Sequence, residues 1–348
     1  MEKQISIIIP TYNMEKYIGK CLDSLLIPEL DRVEVLVVND GSKDRSSEIA
    51  HSYADRYPGF IRVIDKANGN YGSCINAALP LCTGRYVKIL DADDTFDTEA
   101  FSKFVGVLES TDADAVVTPY FNVDGSGIIT RKDPPDFPNT ELYRTYSTDL
   151  VDERALIKAS AMHRLTYRSE IFTRFDYHQT EGVSYTDNQW DKIPLAFANS
   201  ILFTDIYLYR YLLGREGQTM DPIQRARSLA HIIKVGKDMI ETFEKRCAGA
   251  KLHEFLHKRI LLYAVGPFYS ALDSSTDENM TLLKDYDEYL ENNNNQFYTE
   301  LGNIPYSDNC RFRFIKDIRR KNYMVGYRLP FATRAKLFIS SRIKRICK

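Results

Sequence analysis

The chain of 348 residues is long enough for one large domain or two smaller ones, and its 44% hydrophobic and 27% charged content is that of a globular protein. Its six cysteines form no CxxC pair, which argues against a disulfide framework or a zinc site and favours a reducing cytosol. We expect no signal peptide, because the N-terminal apolar run is too short, and no run approaches the ~18 apolar residues of a membrane span.

The net charge of −2 hides an uneven distribution. Residues 311–348 contain 13 Lys and Arg and a single acid, Asp317, which gives this tail about +12 and leaves about −14 on 1–310. The tail interleaves apolar and basic residues, and a helix from 331 would carry an apolar stripe. This pattern predicts an anionic partner. A membrane surface is favoured, docking on the acidic body is the alternative, and that acidic body argues against nucleic acid.

In the first 120 residues, short β-branched runs alternate with amphipathic stretches. Continuous apolar runs are typical of strands buried on both faces of a parallel sheet, and we predict them at 4–10, 32–40, 60–65, 85–94 and 114–119. Helices are predicted at 14–27, 43–57, 71–82 and 97–110, the last capped by Asp97 or Thr98. This alternation predicts a doubly wound α/β sheet with right-handed crossovers.

After residue 120 the pattern changes. The Gly- and Pro-rich stretch 120–150 is predicted to be a long loop or hairpin, and 200–213 an apolar strand. Further helices are predicted at 222–246, 251–272 and 278–292, with a turn at the asparagine run 292–295. We therefore expect an α/β domain at 1–220, a helical C-terminal region at 221–310 and a basic amphipathic tail at 311–348.

Polar segments follow four of the predicted strands: PTYN at 10–13, NDGSKD at 39–44, NGNYG at 68–72 and DADD at 91–94. Each alone is compatible with ordinary turn chemistry. Ligands of open α/β sheets bind beyond the carboxyl ends of the strands, so four such segments at one edge predict a ligand site there.

The DADD segment crowds three carboxylates together. Asp91, Asp93 and Asp94 repel one another unless a cation or protons intervene. In an extended segment Asp91 and Asp93 point the same way, and all-oxygen ligation selects Mg²⁺ or Mn²⁺. The alternative is a solvated turn followed by a helix N-cap.

The segments SIIIPTYN, VLVVNDGSKDRS, ANGNYGSCINAAL and GRYVKILDADD, in this order and spacing, resemble the inverting family-2 glycosyltransferases of the GT-A fold, of the bacterial polysaccharide-biosynthesis type. The resemblance covers 5–94 and continues more weakly to about 215. It implies the GT-A nucleotide-diphospho-sugar transferase fold, a doubly wound mixed sheet with a C-terminal helical region. The implied activity is inverting, metal-dependent transfer of a sugar from a nucleotide sugar, by family habit a UDP-sugar, to an acceptor hydroxyl in cell-surface polysaccharide or glycoconjugate synthesis.

The resemblance also implies roles for single residues. Those implied to bind the nucleotide sugar at the strand ends are Thr11, Tyr12, Asp40, Asn68, Gly69, Gly72 and Asp91. Tyr12 would stack on the base, Asp40 would hydrogen-bond the base edge and Asp91 would hold the ribose or the sugar. Asp93, supported by Asp94, would bind the Mn²⁺ or Mg²⁺ that bridges the two phosphates.

The catalytic base of the family lies in an acidic ED pair that opens a later helix. The corresponding stretch, EGVSYTDNQW at 181–190, has Thr186 where the family has glutamate. The resemblance therefore implies Asp187 as general base, with Glu181 in reserve; without it, Asp187 is better explained as a helix N-cap or early-turn acid. One base carboxylate is enough, because inversion needs no covalent intermediate.

A polar loop is predicted at 209–219, following a strand, where Arg210, Arg215 and Gln218 can face a diphosphate. Arginine suits bidentate phosphate contacts, and Arg215 is assigned to nucleotide-sugar binding; a solvated turn is the alternative. His163 is predicted to be structural.

The expected partners are a nucleotide-sugar donor, a saccharide acceptor, free or lipid-linked, and the inner face of the cell membrane, reached from the cytoplasm through 311–348. Two other functions stay open. A sugar nucleotidyltransferase would carry a Gly-rich loop with a basic residue after the first strand, where this chain has PTYNMEKY. A catalytically degenerate scaffold that binds a polysaccharide or a protein is kept open by the missing glutamate.

Overall fold

The computed structural model describes residues 2–214, 228–307 and 310–333. By their contacts, the described residues fall into two compact units, which lie within Met1–Gln218 plus Thr242–Leu256 and within Thr219–Glu241 plus His257–Lys348.

The strands belong to the first unit. In chain order they are β1 (Ile5–Thr11), β2 (Val33–Asn39), β3 (Ile61–Asp65), β4 (Tyr86–Ile89), β5 (Thr95–Phe96), β6 (Ala115–Val117), β7 (Tyr120–Val123), β8 (Ile129–Lys132), β9 (Thr145–Ser147), β10 (Leu165–Arg168), β11 (Ser200–Phe203) and β12 (Tyr209–Leu212). The helices before residue 200 are α1 (Ile18–Asp23), α2 (Ser46–Arg56), α3 (Asn70–Ala78), α4 (Thr98–Ser110), α5 (Glu153–Ala159), α6 (Ile171–Arg174) and α7 (Asp187–Phe197).

An eight-stranded sheet in the order β3-β2-β1-β4-β10-β6-β11-β9 forms the core of this unit. The pairs β1–β2, β2–β3 and β1–β4 are parallel, and every residue of β1 and β4 is buried, as continuous apolar runs require. β10 lies antiparallel between β4 and β6, so the sheet is mixed. The predicted α/β class with a mixed sheet is confirmed. The Asp97 side chain caps α4 by accepting from Ala100 N, as predicted.

A smaller sheet has the order β5-β12-β7-β8. Its β7–β8 pair is an antiparallel hairpin inside the stretch predicted as a loop or hairpin. The single strand predicted at 200–213 is wrong, since β11 joins the main sheet and β12 the smaller one. The chain leaves the main sheet at Thr204, whose hydroxyl donates to Val117 O at 3.1 Å.

The helices after residue 228 are α8 (Leu229–Arg246), α9 (His253–Ala264), α10 (Gly266–Asp273), α11 (Asp277–Asn293), α12 (Asn295–Asn303) and α13 (Phe314–Arg320). The single helix predicted at 251–272 is wrong: it breaks at Gly266, because Pro267 has no N–H to continue it and begins the next helix instead. The asparagine run ends α11, but α12 begins after Asn294, so the turn is a single residue. Residues 222–227 of the predicted helix lie outside the described residues.

The basic tail begins inside the second unit. Phe314, Ile315 and Ile318 of α13 are buried, and Arg319 donates to both carboxylate oxygens of Asp287 at 2.6 and 2.7 Å. The helix expected from 331 is described only to residue 333, and the rest of its predicted stripe lies outside the described residues. No helix in the described parts of the chain has both the length and the apolar character needed to cross a bilayer.

Candidate active site

The carboxyl ends of β1 and β2 and the segment after β3 meet at one edge of the main sheet. Asp40 N donates to Thr11 O at 2.9 Å, and Asn68 Nδ2 donates to Asp40 O at 3.0 Å. Gly69 N donates to Asp40 Oδ1 at 2.9 Å. Three of the four polar segments predicted to share an edge are therefore directly hydrogen-bonded to one another.

Asp40 is buried and paired with a cation that sequence reasoning missed. Lys66 Nζ donates to Asp40 Oδ1 at 2.8 Å and to Ser73 Oγ at 2.8 Å. Among the described residues, every hydrogen bond of the Asp40 carboxylate is to Oδ1. These bonds to Oδ1 hold the carboxylate in one orientation and so fix the direction in which Oδ2 points. The only sequence signal for Lys66 was its place directly after β3.

Tyr12 follows β1 and is 45% exposed. The next residue, Asn13, has a φ of 54° and is held on both sides: its N–H donates to Ser42 Oγ at 3.1 Å, and its Oδ1 accepts from Lys43 N at 2.7 Å. The loop that carries Tyr12 is thus fixed, while its ring is accessible to a ligand. Stacking on a base stays a prediction.

Gly69 and Gly72 bring the start of α3 against the segment before α7. A Cβ on Gly72 would come within 2.2 Å of Thr180 O, and Gly69 O accepts from Gly182 N at 2.8 Å. This close packing is by itself enough to explain why a glycine is needed at position 72, whether or not a nucleotide binds there. The approach of a nucleotide to these glycines stays a prediction.

The acidic cluster, Asp91, Asp93 and Asp94, lies directly after β4. Each residue offers one carboxylate oxygen, and these oxygens all lie within 4.8 Å of one another. The segment is not extended as predicted: β4 ends at Ile89, and Asp94 N donates to Asp91 O at 3.0 Å, which closes a turn. The turn, rather than strand alternation, brings the carboxylates together.

Residues of β12 hold Asp94 in place. The Tyr209 hydroxyl donates to Asp94 Oδ2 at 2.7 Å and accepts from Asp91 N at 3.1 Å, and Leu212 N donates to Asp94 Oδ1 at 2.7 Å. Burial first, and then the charges of Asp93 and Asp91, raise the pKa of Asp94 well above its usual range. Both oxygens of Asp94 are used by the protein, whereas Asp91 and Asp93 are half-buried. Sequence reasoning did not identify Tyr209 as part of this site.

A second tyrosine connects the cluster with Asp187. The Tyr71 hydroxyl donates to Asp91 Oδ1 at 2.9 Å. Its pKa is raised well above the usual value by burial and then by the charges of Asp91 and Asp187. Burial likewise raises the pKa of Tyr211 to about 12, with contributions from all three acids of the cluster and from Asp187. The charges of Asp187 and of the cluster thus both contribute to the raised pKa values of Tyr71 and Tyr211.

Asp187 is the first residue of α7 and is half-buried. Burial raises the pKa of its carboxyl, and Lys192 opposes that rise. The reserve candidate, Glu181, accepts from Asn76 Nδ2 at 2.8 Å and lies 3.8 Å from His178 Nε2. Of the two candidate bases, Asp187 is thus the one whose charge acts on the tyrosines of the cluster.

The structure corrects the position of Arg210. This residue lies on β12 rather than on a loop, and its guanidinium is 3.4 Å from the Asp97 carboxylate. Arg215 and Gln218 lie outside the described residues. His163 packs against Tyr120 and Tyr211 with ring centroids 5.3 and 4.3 Å apart, and burial lowers its pKa to about 3, as suits the predicted structural role.

Beneath the cluster, β4 carries a buried lysine that its apolar context concealed from sequence reasoning. Lys88 Nζ donates to His163 O at 3.0 Å and to Leu165 O at 3.1 Å, and burial lowers its pKa to about 7. It also lies 5.9 Å from the centroid of the Tyr209 ring. Lys88 thus connects the strand before the cluster to the first residue of β10 and to the segment directly before it.

Comparisons with known proteins relate this chain to glycosyltransferases. Residues 6–168 match the family model for glycosyl transferase family 2. The chain is 31% identical over 210 residues to the uncharacterized glycosyltransferase EpsJ of Bacillus subtilis, which covers 59% of this chain and 60% of EpsJ. It is 25% identical over 344 residues to the glycosyltransferase GlyG of Streptococcus pneumoniae, which covers 92% of this chain and 99% of GlyG.

The fold is also similar to a solved structure. S. aureus TarS 1-349 in complex with UDP-GlcNAc superposes with a TM-score of 0.60 over 91% of this chain and 92% of TarS, at 18% identity. At that identity the likeness concerns the fold alone, a GT-A-type mixed sheet followed by helices. Residues 6–168, which contain the acidic cluster, thus match glycosyl transferase family 2, and the fold is similar to that of TarS.

Proposed function

We propose that this chain transfers a sugar from a nucleoside diphosphate sugar to an acceptor hydroxyl, with inversion at the anomeric carbon. The observation that carries the proposal is the acidic cluster after β4, whose oxygens lie within 4.8 Å of one another and whose Asp91 accepts from the Tyr71 hydroxyl, a group whose raised pKa also reflects the charge of Asp187. Sugar transfer needs carboxylates that bind the donor, a role proposed for the cluster, and a carboxylate that accepts the proton of the acceptor hydroxyl, a role proposed for Asp187.

The cluster fits a hard divalent cation, Mn²⁺ or Mg²⁺. Its donors are all carboxylate oxygens, and crowded carboxylates are stabilised by positive charge. Because Asp94 is committed to Tyr209 and Leu212, Asp93 is the residue proposed to hold the ion. When bound, such an ion offsets the negative charge that grows on the departing diphosphate.

The neighbouring loops are proposed to hold the rest of the donor. Asp40, oriented by Lys66 and Gly69, offers a carboxylate oxygen to the base edge, and exposed Tyr12 offers a ring for stacking. Asp91, oriented by Tyr71, is proposed to hold the ribose or the sugar. A UDP-sugar is proposed as donor, in keeping with the UDP-GlcNAc bound to TarS.

Asp187 is proposed to accept the proton of the attacking hydroxyl. A raised pKa makes its carboxylate a stronger base than an exposed aspartate, provided that it is deprotonated at the working pH. Attack from the face opposite the diphosphate inverts the anomeric carbon and needs no covalent sugar–enzyme intermediate. A saccharide acceptor, free or lipid-linked, in cell-surface polysaccharide or glycoconjugate synthesis is part of the proposal.

The proposal is tested with a panel of UDP-, GDP- and dTDP-sugars, with release of the nucleoside diphosphate measured with Mn²⁺, with Mg²⁺ and after chelation. We expect release from at least one donor, above all a UDP-sugar, that depends on added metal. Asp55→Ala, on an exposed position of α2, serves as a control for the loss of an acid outside the site. No release from any donor, or equal release after chelation, would contradict the proposal.

A further inference from the structure

We propose that the 322–326 turn of the second unit inserts its tip into an anionic lipid surface and so docks the protein on a membrane. The tip consists of Met324 and Val325, whose side chains are 51% and 52% exposed. Phe331, a few residues later, is 79% exposed. Two consecutive apolar side chains are thus presented to solvent at the end of a turn.

The turn is held firmly by the residues on either side of its tip. The Tyr327 hydroxyl donates to Asp317 Oδ2 at 2.8 Å, and the Tyr323 hydroxyl donates to Asp287. Gly326 N donates to Ser275 O at 3.0 Å. Because both tyrosines are anchored by their hydroxyls, the tip residues cannot turn inward without breaking these bonds.

The backbone of the turn is also unusual. Asn322, Tyr323 and Gly326 have φ values of 47°, 54° and 71°. A tyrosine in the left-handed region is disfavoured, so the surrounding bonds must impose this conformation. The protein therefore uses contacts of its own to present an apolar tip rather than to bury it.

The charges around the turn are positive. Residues 310–333 contain seven Lys and Arg and one acid. Arg319 pairs with Asp287, and Arg320 and Lys321 pair with Asp317. The remaining basic residues with no acidic partner among the described residues include three exposed arginines, Arg311, Arg313 and Arg328.

The apolar tip and the positively charged residues beside it are together suited to binding an anionic bilayer. Apolar side chains enter the boundary between headgroups and acyl chains, and basic residues are attracted to anionic lipids within about one Debye length, ~8–10 Å. Residues 1–310 carry about −14, so attraction to such a surface must be local to this segment. A stable protein partner would need about 800 Å² of surface on each side, far more than two half-exposed side chains supply.

The test measures binding of the full-length chain to sedimented vesicles of phosphatidylcholine with or without phosphatidylglycerol. We expect binding only to the anionic vesicles, and weaker binding as salt is raised. Met324→Ser with Val325→Ser should weaken it about tenfold, because two apolar side chains leave the acyl boundary. Arg328→Ser should weaken it about fivefold.

Leu262→Ser is the matched control, because Leu262 is an apolar residue that is 56% exposed on α9. Thermal unfolding and diphosphate release without vesicles should be the same in all variants, which separates failure of docking from failure of folding or of the proposed activity. Equal vesicle binding by the tip variant and by Leu262→Ser would overturn the proposal, as would binding without preference for anionic lipid or no binding at all. If Arg328→Ser weakened vesicle binding while the tip variant bound like the unchanged protein, charge without apolar insertion would govern binding. That result, which a nucleic-acid-binding surface would also give, would overturn the proposal too.

Discussion

Tyr71→Phe removes one hydroxyl from the candidate site and leaves the ring in place. The lost bond runs from the Tyr71 hydroxyl to Asp91 Oδ1 at 2.9 Å. A hydrogen bond to a charged group contributes about 1.5–3 kcal/mol, and each ~1.4 kcal/mol changes a rate tenfold. Because Asp91 is proposed to hold the donor, we expect kcat/KM for the donor to fall about 10- to 150-fold.

The assay is steady-state release of the nucleoside diphosphate with the donor varied at saturating acceptor. A rise in KM with unchanged kcat means that Asp91 binds the donor equally in the ground and transition states, whereas a fall in kcat means that its contact strengthens in the transition state. Tyr86→Phe is the control, because within the described ranges the hydroxyl of this buried β4 residue donates to backbone oxygens alone, Thr111 O at 3.0 Å and Ala113 O at 3.1 Å. If Tyr71→Phe and Tyr86→Phe differ by less than twofold, the orientation of Asp91 does not depend on Tyr71 and the reasoning is refuted.

Four further results are expected. Asp93→Ala should abolish metal-dependent diphosphate release, and retention of that release at the wild-type level would remove Asp93 as the metal ligand. Asp187→Asn should lower kcat by about 100-fold or more while donor binding, measured by titration, stays nearly unchanged; a near-normal kcat would reject the base assignment. As the proposed base, Asp187 must be deprotonated to act, and because Lys192 lowers its pKa, Lys192→Met should move the acidic limb of the kcat profile to higher pH; an unmoved limb would contradict this. Arg319→Met should lower the free energy of unfolding in urea by about 3–5 kcal/mol, because it leaves the buried carboxylate of Asp287 without its cationic partner, and a loss below 1 kcal/mol would contradict that account.

Local sequence patterns determined the α/β class, the first strands and helices, and the segment that holds the acidic cluster. Strand prediction uses apolar runs, which are properties of residues adjacent in sequence. For that reason β1, β2 and β3 lie within about one residue of their predicted bounds. Turn-forming residues at strand ends also predicted which segments meet at the edge of the sheet. The implied roles of Asp40, Asp91 and Asp93 came from resemblance to a family and stay proposals, as does that of Arg215, which lies outside the described residues.

Tertiary structure decided which groups hold those acids. Tyr209 and Leu212 reach Asp94 across 115 and 118 residues of sequence, and no local pattern records such a contact. The role of Lys66 could not be predicted either, because a lysine after a strand is common. Only the folded chain places its Nζ 2.8 Å from the Asp40 carboxylate. The closed turn at Asp94 and the antiparallel insertion of β10 likewise follow from long-range pairing, in which distant segments must bury apolar surface and satisfy backbone hydrogen bonds together. The sequence therefore located the acids, and only the folded chain supplied the tyrosines, backbone groups and lysine that orient them.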